Sequence, residues 1–360
     1  MTTGKLLRAA IIGTGSIAKS HLAAYEAHPS DVTVVAAADV DETRVAGFAT
    51  GAIKPYTDLS TLLAEQKPDL VSVCTPPSLH VGQTVQALNA GAWVWCEKPP
   101  CLSLAGYDEM TAAESDGGPY AGFVFQHRFG SAVEHFRGLL AAGELGRPLV
   151  AHCQTTWFRD AAYYAVPWRG EWETEGGGPA MGHGIHQIDL LLHLLGEWTE
   201  VSAMAGRLVH DVRTEDVSTA LVRFESGALA TVVNSVLSPD EVSRIRIDCA
   251  DATVELTHLY GYGNDDWTYS PAPHVQDVER VQKWRAPAAD MDSSHAAQLA
   301  HVLAAVQAGE RPPCSGADGR RALGFVAALY KSAFTGRTVH AGEITSEDPF
   351  HTAMNGGGRR

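Results

Sequence analysis

Short apolar runs alternate with amphipathic stretches through the first third of the chain. Residues 6–12, 32–38, 70–74, 93–96 and 120–125 have strand length, and their nearly unbroken apolar character predicts burial on both faces. Between them, residues 17–27, 59–65 and 81–89 carry helical periodicity, the last stopped by Gly91 near its C-cap. Strand and helix in strict turn predict an α/β fold with a doubly wound parallel sheet and right-handed crossovers.

Beyond about residue 123 the pattern changes. Residues 149–158, 201–208, 218–224, 228–236 and 243–248 alternate or run apolar at strand length with few helices between them, which predicts an α+β domain on a large, mainly antiparallel sheet with one exposed face. Helical patterns return at 183–195, 296–308 and 320–334. The expected division is residues 1–122 as the parallel-sheet α/β domain, 123–345 as the α+β domain, and 346–360 as a partly disordered tail ending in Gly356-Gly357-Gly358-Arg359-Arg360.

Composition narrows the function classes. A chain of 360 residues with 45% hydrophobic and 19% charged side chains is that of a folded protein. Its 27 basic against 42 acidic residues, a formal charge of −15, argue against nucleic acid or an anionic membrane as partner, because phosphate binding is driven by cations. No stretch of 18 apolar residues appears, and Met1 leads directly into a strand pattern, so a cytoplasmic protein is expected. Six dispersed cysteines without a CxxC pair read as reduced core thiols.

The first strand runs into Gly13-Thr14-Gly15-Ser16-Ile17-Ala18, a GxGxxA turn. Glycine at 13 permits the tight turn, glycine at 15 lets a pyrophosphate approach the backbone, and Ala18 lets helix pack on strand, while free N–H groups at the helix start face the phosphates. Asp39 closes the second strand, where a carboxylate accepts hydrogen bonds from ribose hydroxyls and repels a 2′-phosphate. NAD is therefore the expected cofactor. Nearby Arg44 leaves NADP open.

Three further stretches complete a family pattern: Cys74-Thr75-Pro76-Pro77-Ser78-Leu79-His80, Glu97-Lys98-Pro99, and Gly176-Gly177-Gly178 leading into Gly184-Ile185-His186-Gln187-Ile188-Asp189. With the N-terminal turn, they resemble the glucose–fructose oxidoreductase, inositol dehydrogenase and MocA-type family of sugar and cyclitol dehydrogenases. The resemblance implies that Thr75, Pro76, Pro77 and His80 lie beside the cofactor. It likewise implies that Glu97-Lys98 contacts nicotinamide ribose, with Lys98 also reaching substrate, and that His186 is the acid/base. Gln126 is implied near the nicotinamide and Arg128 near the substrate. The open sheet face is implied as the interface of a homodimer or homotetramer. Many members carry an aspartate four residues before the histidine; here position 182 is glycine and His183 follows, so His183 is a candidate to take its place.

The residues alone point the same way. Gly13, Asp39, Thr75 and Lys98 each follow the carboxyl end of a strand, where open α/β sheets bind ligands. Oxidising a secondary alcohol moves a hydride to the cofactor and a proton to a base; a neutral imidazole suits the proton, and the Lys98 cation suits the developing alkoxide. Trp157, Arg159, Tyr163 and Trp168 supply aromatic faces and donors that fit a sugar or polyol. The spacing of His183, His186 and Asp189 also permits a metal site, but none is expected, because the hydride mechanism that the resemblance implies needs none and Gly182 and Gly184 mark only the start of a helix. The alternative reading is a non-catalytic dinucleotide- or sugar-sensing regulator on the same fold. Lys98–Pro99 is a candidate cis peptide.

Overall fold

The computed structural model describes residues 5–358. The described residues form two compact units: 5–124 with 295–320, and 125–294 with 321–358. The segment 295–320 thus returns to the first unit, although in sequence it lies far inside the expected second domain. Its helix His295–Ala308 packs beside helix Ser16–Glu26.

The first unit is a six-stranded sheet built from β1 (Leu7–Ile12), β2 (Val32–Ala38), β3 (Lys54–Tyr56), β4 (Leu70–Val73), β5 (Trp93–Cys96) and β6 (Ala121–Phe123). All pairs are parallel and the order is β3-β2-β1-β4-β5-β6. Crossing from β1 to β4 reverses the direction of winding, and the carboxyl ends there are where such sheets take ligands. β1, β4 and β5 are almost wholly buried because helices cover both faces. β3 escaped sequence detection because it is a three-residue edge strand carrying Pro55.

The second unit holds eight strands: β7 (Pro148–Phe158), β8 (Trp198–Gly206), β9 (Val217–Phe224), β10 (Leu229–Ser235), β11 (Leu237–Cys249), β12 (Ala252–His258), β13 (Trp267–Pro271) and β14 (Val339–His340). Their order is β13-β12-β11-β7-β10-β9-β8-β14, antiparallel except for β7 against β10. Burial alternates along β7, β9 and β12, as a half-covered sheet requires. Helix Ile185–Leu195 packs on β7 and β11 and covers the inner face. The outer face leaves Val150, Met204, Leu221 and Leu229 exposed.

The C-terminal segment departs from the expected loose tail. Helix Pro349–Thr352 buries Phe350, Met354 is buried after it, and Gly356 turns with φ +65° against the Phe350 ring. Arg359 and Arg360 lie outside the described residues. Among the described residues no helix is long and apolar enough to cross a membrane.

Candidate active site

In the first unit the turn after β1 is shaped by close approach. Gly13 has φ +81°, and a Cβ there would sit 2.8 Å from the Cys74 carbonyl oxygen. Gly15 is the reverse case: a Cβ would meet nothing within 4 Å, so open space lies over the backbone at the helix start. Helix Ser16–Glu26 begins there with neither a side-chain cap nor an acid in its first turn. Uncapped N–H groups beside open space fit a pyrophosphate. Thr14 is buried, Ser16 exposed at the first helical position, and Ile17 packs on the core.

Asp39 follows β2 as expected. Its Oδ2 accepts hydrogen bonds from Thr14 N (2.8 Å) and Thr14 Oγ1 (2.9 Å), and its Oδ1 accepts from Asp41 N at 3.0 Å. Burial opposes the charge, but these donors outweigh it and hold the carboxyl below its ordinary value. Arg44 stands 3.5 Å from Oδ1 and is about half exposed. The phosphate turn and the acid are thus one hydrogen-bonded piece.

The loops after β4 and β5 are joined by His80, and here the structure corrects the expected contact with the cofactor. The ring is fully buried, with Nδ1 2.9 Å from Pro99 O and Nε2 2.8 Å from Thr75 O. It therefore spaces the Thr75-Pro76-Pro77 loop against the Lys98-Pro99 loop. Thr75 donates from Oγ1 to Gln83 Oε1 at 2.6 Å, Pro76 is partly exposed, and Pro77 opens a short 3-10 turn. The Lys98–Pro99 peptide is cis. Glu97 also departs from its expected place: it is buried, and its carboxylate accepts from His21 and His295, not from an open crevice. The signal was present in sequence only as two isolated histidines, one of them nearly 200 residues away.

In the second unit the Gly-rich segment forms a π-helical turn, Ala180–Gly184, running into helix Ile185–Leu195. Gly178 and Gly184 are forced by contact, since a Cβ on either would overlap Glu215 O or Asn234 Oδ1 respectively. His186 is buried, its ring centroid 4.8 Å from His127, 6.0 Å from Tyr260 and 6.5 Å from Phe125. His127 is held by Nε2 against Tyr260 O at 2.6 Å and forms a wall beside the candidate base.

His183 stands among the expected aromatic residues. Its ring is 5.0 Å from Trp157 and 5.9 Å from Tyr163, whose hydroxyl lies 3.3 Å from His183 Nε2. Arg159 lies over both Trp157 (4.9 Å) and Tyr163 (5.4 Å) and pairs with Glu241 at 2.9 Å. Arg169 stacks over Tyr163 (3.8 Å) and Trp168 (4.4 Å) and donates to the Tyr163 hydroxyl. Trp157, Arg159, Tyr163, Trp168, Arg169 and His183 thus form one cationic and aromatic group.

Arg128, expected near the substrate, is buried in a two-pronged pair with Asp189, Nε to Oδ2 at 2.6 Å and Nη2 to Oδ1, which engages one edge of its guanidinium. Gln126 is buried, and its Oε1 meets no donor among the described residues. None of the six cysteines is disulfide-bonded, all are buried, and burial pushes the thiols of Cys74 and Cys96 well up.

With this geometry in hand, comparison with known proteins is decisive. Residues 7–120 match the oxidoreductase family's NAD-binding Rossmann-fold domain, and residues 133–255 match the GFO/IDH/MocA C-terminal domain. The chain belongs to the GFO/IDH/MocA oxidoreductase family. It is 27% identical to D-apiose dehydrogenase of Paraburkholderia graminis, covering 100% of this chain and 96% of that protein. It is 28% identical to D-glucoside 3-dehydrogenase of Escherichia coli, covering 94% and 98%. Among solved structures, the WlbA dehydrogenase of Chromobacterium violaceum, in complex with NADH and UDP-GlcNAcA, superposes with a TM-score of 0.83 at 25% identity over 96% of this chain and 98% of that one. The open backbone at Gly15, the uncapped helix start and Asp39 fit the dinucleotide that this family binds.

Proposed function

We propose that this protein is an NAD-dependent dehydrogenase oxidising a secondary hydroxyl of a sugar, glycoside or cyclitol. The observation that carries the cofactor half is the Thr14–Asp39 clamp, which sets an anionic carboxylate against the glycine turn and disfavours the 2′-phosphate of NADP. Arg44 is already engaged by Asp39 and Asp41, which weakens it as a phosphate receptor. The substrate half rests on the aromatic and arginine group around Tyr163 and on relatives that act on apiose and glucosides.

Bound coenzyme supplies the hydride acceptor; the chain's own part is positioning and proton management. In this reading the Lys98 ammonium stabilises negative charge building on the substrate oxygen, and His186 takes the hydroxyl proton. His183, hydrogen-bonded to Tyr163, orients substrate hydroxyls with Trp157, Arg159 and Trp168. Gln126, with its unused buried acceptor, is retained as a coenzyme contact. Gly13, Gly15, Ser16 and Ile17 offer backbone, as does the Thr75-Pro76-Pro77 loop.

Homo-oligomerisation through the outer face of the eight-stranded sheet is part of the proposal, because Met204, Leu221 and Leu229 are 79%, 64% and 48% exposed there. Six buried cysteines without a disulfide are in keeping with a cytoplasmic setting. The test is a screen of D-apiose, D-glucosides and myo-inositol with NAD and NADP, following coenzyme reduction. Turnover with NAD and a sugar or cyclitol supports the reading; tight NADH binding with no turnover across the panel favours a sensor.

A further inference from the structure

Glu97 is the centre of a buried network inside the first unit. Oε1 accepts from His21 Nε2 and from His295 Nε2, both at 3.0 Å, and Oε2 accepts from the Lys98 main-chain N–H at 3.1 Å. Behind His21, Nδ1 lies 2.9 Å from Ser72 Oγ, which is 2.7 Å from the Tyr25 hydroxyl. One set of protons satisfies this chain: Tyr25 donates to Ser72, Ser72 to His21 Nδ1, and His21 Nε2–H to an ionised Glu97, with His21 neutral. Burial favours a neutral His21, whereas for Glu97 the two imidazole donors overcome burial and hold the carboxyl well below the usual range.

The placement of these groups gives the network a purpose. His21 sits on the helix that begins at the dinucleotide turn, Ser72 on the strand that leads into Thr75, and His295 opens the helix packed beside His21. Glu97 ties all three to the residue that follows it. On the far side of Lys98, His80 holds the Pro99 carbonyl. The Lys98 backbone is therefore gripped before and after its side chain by buried groups that reach the coenzyme loops.

We propose that Glu97, together with His21 and His295, is a positioning group for Lys98, fixing the backbone from which the ammonium is presented without itself touching coenzyme or substrate. This rests on the reading of Lys98 as the cation at the reacting oxygen. The same three side chains bring their ligand atoms within 4.8 Å of one another, so a buried metal ion is the competing occupant of this geometry.

The test uses the full-length protein with NAD and the best hydroxyl donor of the screen above, together with NADH fluorescence titration, metal content and ¹⁵N-histidine NMR. Glu97→Ala and His295→Leu are expected to lower kcat on the order of ten- to a hundredfold while NADH affinity stays within about twofold. His295→Gln, which keeps an N–H donor at the same place, should restore most of the loss. In a Lys98→Ala background Glu97→Ala should cost nothing further. The NMR spectrum at about pH 8 should show His21 as the neutral Nε2–H tautomer.

Full kcat in folded His295→Leu and Glu97→Ala, beside a crippled Lys98→Ala, overturns the positioning role alone. An additive loss in the double variant or stoichiometric metal does the same. Near-normal turnover of Lys98→Ala overturns the reading of Lys98 itself. If Glu97→Ala does not fold, the His295→Leu and His295→Gln pair decides the question.

Discussion

Arg128 and Asp189 face each other as a two-pronged ion pair that is almost wholly buried in the second unit. Asp189 lies one helical turn beyond His186, and Arg128 directly follows His127, so the pair anchors both imidazoles through the backbone. Removing one partner leaves the other charged and buried. Asp189→Ala and Arg128→Ala are each expected to cost about 3 to 5 kcal/mol in chemical denaturation. A loss below about 1 kcal/mol would show that the pair is not the anchor.

Two glycines two residues apart should behave oppositely. A Cβ at Gly184 would overlap Asn234 Oδ1, itself buried in the sheet, whereas a Cβ at Gly182 meets nothing within 4 Å. Gly184→Ala is expected to destabilise by about 1 to 3 kcal/mol and Gly182→Ala to be nearly neutral. The same space admits a carboxylate one turn before His186. Gly182→Asp should therefore move the acidic limb of the pH–rate profile upward, because a nearby anion favours the charged imidazole. An unmoved profile would place position 182 out of reach of the base.

Glu215 is buried under the Gly-rich turn, accepting from Gly178 N (2.8 Å), Ala180 N (3.2 Å) and the Tyr330 hydroxyl (2.8 Å). Burial pushes its carboxyl up to about 7 from 4.5, with these donors pulling against it. Between those values the folded protein keeps a proton that the unfolded chain has lost. Stability therefore falls as pH rises through this window, by about 3 kcal/mol in all, and levels off above it. Denaturation curves from about pH 5 to about pH 8 should show that slope, and Glu215→Gln should flatten it. A slope unchanged in the variant would assign the effect elsewhere.

Asp39→Ala removes the anion that holds Thr14 and releases Arg44. The efficiency with NAD should fall at least about tenfold and the ratio of NADP to NAD efficiency should rise, since charge repulsion at this point gives discrimination. Steady-state kinetics with both coenzymes measures it directly. An unaltered ratio would mean that Asp39 serves the turn and not the ribose.

Local signals made the first sheet legible: β2 and β5 end where the apolar runs end, and the glycine turn declares itself through contacts between near neighbours. β12 and β13 were not anticipated, because Thr253, Glu255 and Thr257 interrupt the apolar run on the open face and β13 is only five residues long. The harder misses were partnerships across long sequence separations. Nothing local to Glu97 announces His295, nothing local to Arg128 announces Asp189, and nothing in a lone His80 announces the two carbonyls it bridges. Polar residues near a motif read as ligand contacts until their buried partners are known.

The most direct measurement is the rate of NAD reduction by wild type, Lys98→Ala and His186→Ala, each with its NADH affinity determined in parallel. Both variants are predicted to retain NADH binding and to turn over at least about a hundredfold more slowly than wild type. Near-normal turnover in either one would contradict the account.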